Sequence, residues 1–423
     1  MNKKVYIPES KHPRIVIVGA GFAGIHFIKK LKNKPFQIVL LDRNNFHQFP
    51  PLFYQVATSG LEPDAIIFSI RKMFQEFNNF IFRMAEVETI DTENNAIQTD
   101  IGAITYDHLI VASGSTNNFY GMDDVQANSI GLKTIQESLD IRSHILQNLE
   151  RAVNTLDLEE KQRFSTIVIV GGGPAGIEMA GAMAEFQKYI YKKDYPDLAL
   201  NPLQIFLIEA GSEVLSAMSN KSSKSTLTYL KELDINLRLD TAVKKYDGTQ
   251  VTLSNGETID SETLIWTAGV KGQFPKGLQP DLIQRGNRLK VDAFNRLESK
   301  ENIYVIGDVA YMETAAYPNG HPMVAPTAIQ QGEHLADNFL STHWKPFTYY
   351  DKGALATIGK KKAVADLKGK HFKGFFAWFI WSTVHLMSIS GFKNKLRVGL
   401  NWGSSYFSYD KNNRFIIRKF KRK

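Results

Sequence analysis

The sequence predicts an α/β protein with two Rossmann-like domains and a C-terminal region of different character. Two glycine-rich turns of the same spacing lie far apart in the chain. Each follows a β-branched apolar run and opens a stretch with helical apolar spacing. A pair of strand-like segments repeats at nearly the same separation, which indicates a duplicated half. The C-terminal part is basic and aromatic, unlike the rest of the chain.

The first glycine-rich turn, residues 19–24, follows the apolar run of residues 15–18. In such a turn the first glycine permits the bend from strand to helix. The second lets the backbone approach a pyrophosphate, and the third lets the helix pack on the strand. The pyrophosphate then meets the free N–H groups and positive dipole end of the helix. The next strand, residues 37–42, ends in Asp42, where a carboxylate binds a ribose hydroxyl.

The second turn, residues 171–176, follows the apolar run of residues 167–170. Pro174 suits the first helical turn, because an N–H group there has no partner to lose. Glu209 ends the next strand, after a lengthened helix and a loop. An acid at this place favours NADH over NADPH, since it would repel a 2′-phosphate.

Each acid has a simpler interpretation as a solvated carboxylate at the end of a strand. The order strand, turn, helix and strand, found twice, favours two dinucleotide sites instead. A protein that holds two dinucleotides usually passes electrons between them.

Length and composition limit the classes of protein that fit. A chain of 423 residues is too long for one ordinary core, so two or three domains are expected. The absence of cysteine excludes disulfide exchange, iron–sulfur ligation and cysteine-bound zinc, and no metal site is predicted. Residues 1–14 are polar and lack the apolar core of a secretion signal.

The net charge of +8 is distributed unevenly. Residues 360–423 are strongly basic, whereas the remainder is mildly acidic. A basic tail on an acidic body indicates an anionic partner, either a membrane surface or nucleic acid.

Residues 374–390 help to decide between these partners, because they are apolar and aromatic, with basic residues on both sides. This pattern is typical of a helix lying in a membrane interface, with its cations on anionic headgroups. A transmembrane span is an alternative on length, although bases on both flanks argue against it. A buried core or dimer helix is another alternative. Nucleic acid is disfavoured, because the aromatic residues form one block rather than alternating with bases.

Two strand-like segments, residues 106–115 and 262–270, end in small residues. Small residues at strand ends let the chain pass close to a cofactor. A later strand, residues 302–308, ends in Gly-Asp. The small residues that end the first two segments are Ala112 and Gly114 in one, and Ala268 and Gly269 in the other.

This combination of turns and strand ends resembles the two-dinucleotide-binding-domain flavoproteins. The resemblance implies that the first turn binds FAD, the second binds NADH, and the Asp308 carboxylate binds the ribityl chain of FAD. The implied FAD residues are Gly19, Gly21, Phe22, Ala23, Gly24, Asp42, Arg43, Val87, Ala112, Gly114, Asp308, Ala328 and Ile329. The implied NADH residues are Gly171, Gly173, Pro174, Ala175, Gly176, Glu209, Ala268 and Gly269.

Three further segments and the basic tail narrow the resemblance to the type II NADH:quinone oxidoreductases. The segments are residues 45–57, 324–332 and 351–359. Residues 324–332 resemble the family's Ala-Gln-x-Ala-x-Gln quinone motif. The first Gln of that motif is Pro326 here, so its amide is absent and quinone orientation would depend on Gln330 and the backbone. The implied quinone residues are Pro326, Gln330 and Gln331.

The resemblance also implies catalytic roles for Glu178 and Gln330. Glu178 follows the second turn and matches a Glu that the family places near the nicotinamide and quinone faces of the flavin. Proton relay is one interpretation of this residue. The other is that a Glu in the first helical turn only complements the helix dipole.

The predicted fold class is therefore two Rossmann-like dinucleotide-binding domains plus a C-terminal membrane-associating region. The predicted bounds are 10–118 for the first part of the FAD domain, 119–285 for the NADH domain, 286–348 for the second FAD part, and 349–423 for the tail.

The resemblance implies a FAD-dependent enzyme that oxidises NADH and reduces a membrane quinone by two electrons without pumping protons. Relatives that need a reactive thiol are excluded by the absence of cysteine. A soluble NADH-dependent flavoprotein reductase and an NADH-responsive binding module are the alternatives.

The expected partners are quinone and anionic lipids at a membrane surface, without nucleic acid, and a homodimer is a further option. The expected location is the cytoplasmic face of the bacterial inner membrane, as a peripheral or monotopic protein.

Overall fold

The computed structural model describes residues 5–298, 300–408, 413–416 and 418–422. The chain divides into two units. The first comprises Met1–His47, Phe68–Thr116 and Val270–Asp351, and the second comprises Gln48–Ile67, Asn117–Gly269 and Lys352–Lys423. The C-terminal region thus belongs to the same unit as the second glycine turn. The domain bounds given above remain a prediction.

The described secondary structure combines α-helices with β-strands. The helices are α1 (Phe22–Lys30), α2 (Phe53–Ala57), α3 (Ile70–Met73), α4 (Asp123–Asn128), α5 (Ile135–Asn154), α6 (Leu158–Phe164), α7 (Pro174–Phe186), α8 (Lys192–Asp194), α9 (Asn220–Glu232), α10 (Ala325–Phe339), α11 (Gly374–Ser388) and α12 (Phe392–Ser408). The strands are β1 (Arg14–Val18), β2 (Gln37–Asp42), β3 (Phe46–Gln48), β4 (Ile67–Ser69), β5 (Phe80–Met84), β6 (Val87–Asp91), β7 (Ala96–Thr99), β8 (Gly102–Thr105), β9 (His108–Val111), β10 (Ser115–Asn117), β11 (Ile130–Gly131), β12 (Thr166–Val170), β13 (Gln204–Ile208), β14 (Asn236–Arg238), β15 (Val243–Tyr246), β16 (Gln250–Leu253), β17 (Thr258–Asp260), β18 (Thr263–Trp266), β19 (Val270–Gly272), β20 (Ile283–Gln284), β21 (Arg288–Lys290), β22 (Ile303–Val305), β23 (Ala310–Tyr311), β24 (Ala354–Gly359), β25 (Lys362–Leu367) and β26 (Lys370–Lys373).

The first unit is centred on a five-stranded parallel sheet with the strand order β22-β9-β1-β2-β5. In this sheet Val16 of β1 lies opposite Val39 of β2 and Leu109 of β9. Continuous apolar runs are what a parallel strand covered on both faces requires, and residues 15–17 are fully buried. The turn after β1 therefore opens at the carboxyl edge of the sheet, where open α/β sheets bind their ligands.

Helices α1 and α10 pack closely against each other in the first unit. Gly332 of α10 lies so near the carbonyl group of Ala23 that a side chain there would collide with it. Phe27 and Leu335 join the apolar cluster beneath these helices. This packing fixes the first glycine turn relative to the start of α10.

The second unit repeats the same plan, with the parallel strand order β11-β18-β12-β13-β14. β12 lies between β13 and β18, as β1 lies between β2 and β9. Val168 of β12 faces Phe206 on one side and Leu264 on the other. The duplication predicted from the spacing of the two turns is therefore present in the sheets.

Strands β24, β25 and β26 form an antiparallel sheet in the second unit and pack with α7, α9 and α11. Gly181 of α7 meets the main-chain carbonyl of Ile358, where no side chain would fit. The Asp366 carboxylate accepts hydrogen bonds from the Ser219 N–H and the Ser222 hydroxyl at the start of α9. The helix that follows the second turn is thus held by the C-terminal sheet.

Helices α11 and α12 carry the aromatic tail. In α11 Ala377 and Trp381 are buried, whereas Phe375, Phe376 and Phe379 are exposed. Among the described residues, no helix combines the length and apolar character needed to cross a bilayer. Because some side chains of α11 are buried and others are exposed, this helix is buried on one side only. It differs in this from the fully buried core helix that the sequence left as an alternative.

The last described residues lie along the second unit and pair part of the basic charge at the C-terminus. Arg414 forms an ion pair with Asp194 at 3.3 Å, and Arg418 pairs with Asp140. A guanidinium N–H of Arg422 donates to the main-chain oxygen of Gly248 at 2.7 Å. These arginines are held by the protein itself.

Candidate active site

The first glycine turn has the geometry of a phosphate cradle. Gly19 has a φ of +107°, and a Cβ there would collide with the carbonyl oxygen of Ala112. A Cβ on Gly24 would collide with the carbonyl of Gly19. A Cβ on Gly21 would meet nothing within 4 Å, so open space lies at the N-terminus of α1. The turn therefore fits a pyrophosphate.

Asp42 is tied to this turn by hydrogen bonds. Its carboxylate accepts the N–H of Ala20 at 2.7 Å and the N–H of Asn44 at 2.7 Å. Burial raises the pKa of the Asp42 carboxyl above its ordinary value, and the two N–H groups oppose that rise. The carboxylate is thus placed at the end of β2, beside the phosphate cradle.

The Gly-Asp strand end lies at the same edge of the first unit. Asp308 accepts a hydrogen bond from the Ser115 hydroxyl, close to the small-residue end of β9. The Gly307 N–H donates to the Gln331 side-chain oxygen at 2.7 Å, and Gly307 faces Ala23 of α1. The structure therefore brings Asp308 and the first turn together.

The other predicted FAD residues in the first unit differ in exposure. Ala328 is buried on α10, and Ile329 beside it is half-buried. Arg43 is exposed after β2, and half-buried Val87 opens β6 and packs on the core. Phe22 begins α1 and is half-buried.

His47 supports the first turn and was not selected from the sequence. Its Nδ1–H donates to the main-chain oxygen of Ala20 at 2.9 Å, and its ring meets the edge of Phe22 at 5.3 Å. Burial lowers the pKa of His47 to about 4, so the ring is neutral at physiological pH. The family resemblance covers the segment 45–57 as a whole, and only tertiary contacts distinguish this residue within it.

The second turn repeats the same construction in the second unit. Gly171 has a φ of +111°, and a Cβ there would lie 2.9 Å from the backbone of Ala268. A Cβ on Gly176 would collide with the carbonyl of Gly171, while a Cβ on Gly173 would meet nothing within 4 Å. Pro174 begins α7, as the sequence predicts, and Ala175 is exposed beside it.

Glu209 has the same place in the second unit as Asp42 has in the first. Its carboxylate accepts the N–H of Gly172 at 2.5 Å and the N–H of Gly211 at 2.7 Å. The Thr267 hydroxyl donates to the main-chain oxygen of Val170 at 2.7 Å and fixes the small-residue end of β18. Gly269 follows with a φ of +114°.

The residues predicted to contact quinone are engaged within the first unit. The Gln330 side chain bonds the main chain of Tyr350 in both directions, donating to its oxygen at 3.0 Å and accepting its N–H at 2.9 Å. Gln331 is buried and holds the Gly307 N–H. Pro326 lies in the first turn of α10, where a missing N–H costs nothing.

Glu178 lies in the first turn and a half of α7 and is buried. Its Oε1 accepts the Trp381 indole N–H at 3.2 Å and the Thr357 N–H at 3.4 Å. Burial raises the pKa of Glu178 to about 8, against the effect of the two N–H donors. The carboxyl is therefore largely protonated at neutral pH, which distinguishes it from a solvated helix-dipole carboxylate.

A cavity of about 110 Å³ lies beside Glu178 within the second unit. One water needs on the order of 10–15 Å³ on this measure, so several waters or part of a flat ring would fit. The Tyr54 hydroxyl accepts the Gln55 amide N–H at 2.9 Å, and the Trp402 indole donates to the Gln55 oxygen at 2.8 Å. The polar lining residues at this cavity include Tyr54, Gln55, Glu178, Glu185, Trp381 and Trp402.

Sequence comparisons agree with this geometry. A family model for pyridine nucleotide-disulphide oxidoreductases matches residues 13–332, and one for the NDH2 C-terminal domain matches residues 351–408. The type II NADH:quinone oxidoreductase Ndh of Mycobacterium tuberculosis is 31% identical, with 95% of this chain and 89% of the relative aligned. The chain belongs to the type II NADH:quinone oxidoreductase family.

Other members of this family align over similar lengths. The relative NdhA of the same organism is 30% identical over 93% of this chain and 87% of its own. The external NADH-ubiquinone oxidoreductase 2 of Saccharomyces cerevisiae mitochondria is 27% identical, with 94% of this chain and 81% of the relative aligned.

The fold is shared with solved structures. NDH2 from Plasmodium falciparum in complex with NADH superposes with a TM-score of 0.88 at 22% identity, covering 96% of this chain and 100% of that one. The sulfide:quinone oxidoreductase of Aquifex aeolicus superposes with a TM-score of 0.68 at 18% identity, covering 96% and 93%. The predicted fold class and family are confirmed.

Proposed function

We propose that this protein oxidises NADH and passes two electrons to a quinone, with FAD as the resident cofactor. The observation that carries the proposal is the repeated cradle. In each unit the middle glycine of a turn faces open space, and an acid at the next strand end is bonded to an N–H of that turn. Family membership agrees with this reading.

The first unit is the proposed FAD site. Gly21 and the N-terminus of α1 would receive the pyrophosphate, and Asp42 would bind a ribose hydroxyl. Asp308, held by Ser115, would bind the ribityl hydroxyls. When bound, FAD can accept a hydride and return two electrons to an acceptor.

The second unit is the proposed NADH site. Gly173 leaves room for the pyrophosphate at the start of α7, and the Glu209 carboxylate is placed to bind the ribose. A carboxylate there disfavours the 2′-phosphate of NADPH, since like charges would meet in a partly buried site.

Glu178 is the proposed proton donor. Two-electron reduction of a quinone to a quinol takes up two hydrogens, and NADH supplies one of them as hydride. The second must come from solution as a proton. A buried carboxyl with a pKa of about 8 holds a proton at neutral pH and can release it to an acceptor in the adjoining cavity.

Gln330 and Gln331 are better suited to positioning than to direct quinone contact. The side-chain nitrogen and oxygen of Gln330 both bond the main chain of Tyr350, and Gln331 is buried and accepts the N–H of Gly307 in the Gly-Asp turn. We propose that they fix the first unit around its cofactor site. A direct contact between Gln330 and quinone would require exchange of the Tyr350 hydrogen bonds.

The proposed membrane contact is the outer face of α11 and α12. Large apolar side chains are exposed on both helices, and Lys373 and Lys393 are exposed beside them. Rings and cations in this arrangement suit a bilayer interface with anionic headgroups. The exposed side chains are Phe375, Phe376, Phe379, Val384, Met387, Phe392, Leu396 and Leu400.

This face supports peripheral or monotopic attachment to the cytoplasmic face of a bacterial inner membrane, where NADH is produced and quinone is dissolved in the lipid. The alternative is that a second copy of this chain covers the same apolar face in a homodimer. Sedimentation with and without anionic vesicles separates the two.

NADH oxidation by the purified protein, with and without a soluble quinone, tests the proposal together with the visible spectrum. We expect a bound-flavin spectrum and a turnover that depends on quinone. Equal turnover with and without quinone would favour a soluble reductase of another acceptor. Slow oxidation with every quinone would favour a binding module.

A further inference from the structure

Helix α11 has two faces with different neighbours. Phe375, Phe376 and Phe379 are exposed, whereas Ala377 and Trp381 are buried in the interior of the second unit. Trp381 is among the largest fully buried side chains of the described chain. The helix proposed to meet lipid therefore also places an indole ring in the protein interior.

The inward face reaches the proposed proton donor directly. The Trp381 indole N–H donates to Glu178 Oε1 at 3.2 Å, and the Thr357 N–H donates to the same oxygen at 3.4 Å. Within the described part of the chain, no residue donates a hydrogen bond to Oε2. The two donors thus distinguish the two carboxyl oxygens, so the proton belongs on Oε2.

Trp381 is itself held in place by aromatic neighbours. His385 stacks on it at 4.2 Å between ring centroids with an interplanar angle of 23°, and Trp402 packs at 5.4 Å. The His385 Nδ1–H donates to the main-chain oxygen of Trp381 at 2.8 Å, and Phe49 meets the His385 ring at 6.3 Å. The indole N–H is therefore aimed at Glu178 by a packed cluster.

Resting on the proposed function, we infer that Trp381 is the positioning residue of the proton donor. Its indole N–H fixes Glu178 Oε1 and leaves Oε2 to carry the proton and pass it to quinone. Through this contact, one helix provides both the lipid-facing aromatic surface and the hydrogen bond that sets the proton affinity of the donor.

The sign of the effect follows from the chemistry of this hydrogen bond. An N–H donor stabilises the carboxylate, so it lowers the pKa of Glu178 against the larger opposite effect of burial. Removing the donor should raise that pKa further. Other ionisable groups around the site are Glu185 on α7, Tyr54 on α2, Lys360 after β24 and His385 on α11. Burial lowers the pKa of His385 to about 4, so it stays neutral in the range concerned.

The test is the pH profile of quinone reduction by the flavin-loaded Trp381→Phe variant, which keeps an aromatic ring and loses the N–H. In the wild type, activity should fall as pH rises through the pKa of the donor. In the variant, the alkaline limb of the pH profile should move to higher pH by about one unit. A side chain with a merely structural role would lower the rate at every pH and leave the limb in place.

Trp402→Phe is the matched control, because it keeps an aromatic ring packed on Trp381 and removes only an N–H that donates to Gln55 rather than to Glu178. Its limb should stay at the wild-type pH. If Trp381→Phe does not retain flavin, His385→Phe keeps the stacked ring and removes the bond to the Trp381 carbonyl. It should move the limb in the same direction by a smaller amount.

An unchanged alkaline limb in flavin-loaded Trp381→Phe, or in His385→Phe where that variant replaces it, would overturn the inference and leave the proposed function standing. A wild type without quinone-dependent NADH oxidation would instead contradict the proposed function itself.

Discussion

At the residue scale, the chemistry depends on three carboxyl groups in three different environments. Asp42 and Glu209 accept N–H groups from the glycine turns beside them, so each carboxylate is fixed in place. Glu178 has two donors on one oxygen, and burial dominates its proton affinity. The same functional group is therefore the proposed ribose ligand in two places and the proposed acid in the third.

Glu178→Gln should abolish the pH dependence that the acid confers. The folded-state pKa of about 8 lies above the ordinary value of 4.5, so the protonated, active form is lost as pH rises through about 8. We expect a rate loss of about a hundredfold or more near neutral pH and a flat profile. Steady-state quinone reduction from pH 6 to 9 measures this.

The same substitution has a consequence for stability. A raised pKa means that the folded state disfavours the charged carboxyl. The stability that Glu178 contributes is fully present below pH 4.5 and is lost as pH rises through about 8. The Gln variant should therefore melt higher than the wild type at pH 9. Equal melting temperatures at pH 9 would argue against a buried carboxyl.

Glu209→Ala should raise the KM for NADH by about tenfold, because it removes a ribose ligand and leaves the Gly172 N–H without its partner. Flavin content should not change, since Glu209 lies in the second unit. Glu213→Ala, which alters an exposed side chain in the same loop, is the control and should keep the wild-type KM. An unaltered KM in Glu209→Ala would contradict the NADH assignment.

At the element scale, the decisive feature is helix α11, which has two proposed functions: it contacts Glu178 on one side and a membrane on the other. α11 has an apolar sequence nearly all round, so periodicity does not show which side is buried. Its contacts with β25 and with Glu178 select one side, and the aromatic side chains left over form the proposed membrane face.

Replacing Phe375 and Phe379 by Ser should weaken binding to anionic vesicles by at least about a hundredfold while flavin content stays the same. Each ring removed from the interface forfeits on the order of 1.5–3 kcal/mol of apolar burial. Leu156 and Leu158 are exposed apolar residues that belong to neither α11 nor α12, and their replacement by Ser is the control. Co-sedimentation over a range of lipid concentrations gives both affinities.

Point substitutions are preferable to truncation near residue 369 as a test of this face. Truncation would also remove Trp381 and the arginines that pair with Asp140 and Asp194. A loss of activity after truncation would then mix membrane detachment with damage to the second unit.

At the scale of the whole molecule, two duplicated sheets place two turns of the same construction in separate units. Each turn lies at the carboxyl edge of its own parallel sheet. One arrangement, used twice, thus supplies the proposed FAD site and the proposed NADH site. The C-terminal part then adds Trp381 and the cavity to the second unit.

Removal of FAD should destabilise the protein as a whole. A ligand that binds only the folded state stabilises it by about 2.7 kcal/mol at a concentration a hundred times its Kd. Adding FAD to the stripped protein should therefore raise Tm by several degrees in a thermal unfolding scan. Asp308→Ala should lose flavin on purification and gain less from added FAD. An equal gain in both proteins would count against Asp308 as a ligand.

Much of the fold was predictable because glycine turns encode geometry locally. Gly19 and Gly171 have positive φ values that only glycine adopts readily, and the acids follow at the ends of the next strands. Such signals survive in a single sequence. The family resemblance added the order of the two cofactors, and the comparisons confirm the family.

The active-site details were less predictable because they depend on distant segments. His47 supports the first turn from another strand, and Gln330 is bound to Tyr350 rather than free. Trp381 lies 203 positions from the Glu178 that it contacts. No periodicity or spacing identifies a partner at that distance.

The sequence by itself determined the two sheets, the two dinucleotide turns, their carboxylates and the basic aromatic character of the tail. Each of these is specified by neighbouring residues, whose backbone and burial preferences act over a few positions. Only the tertiary structure decided that Glu178 is a buried acid and that the tail helix holds it. Proton affinity depends on desolvation and on donors brought from elsewhere in the chain, and folding alone supplies both.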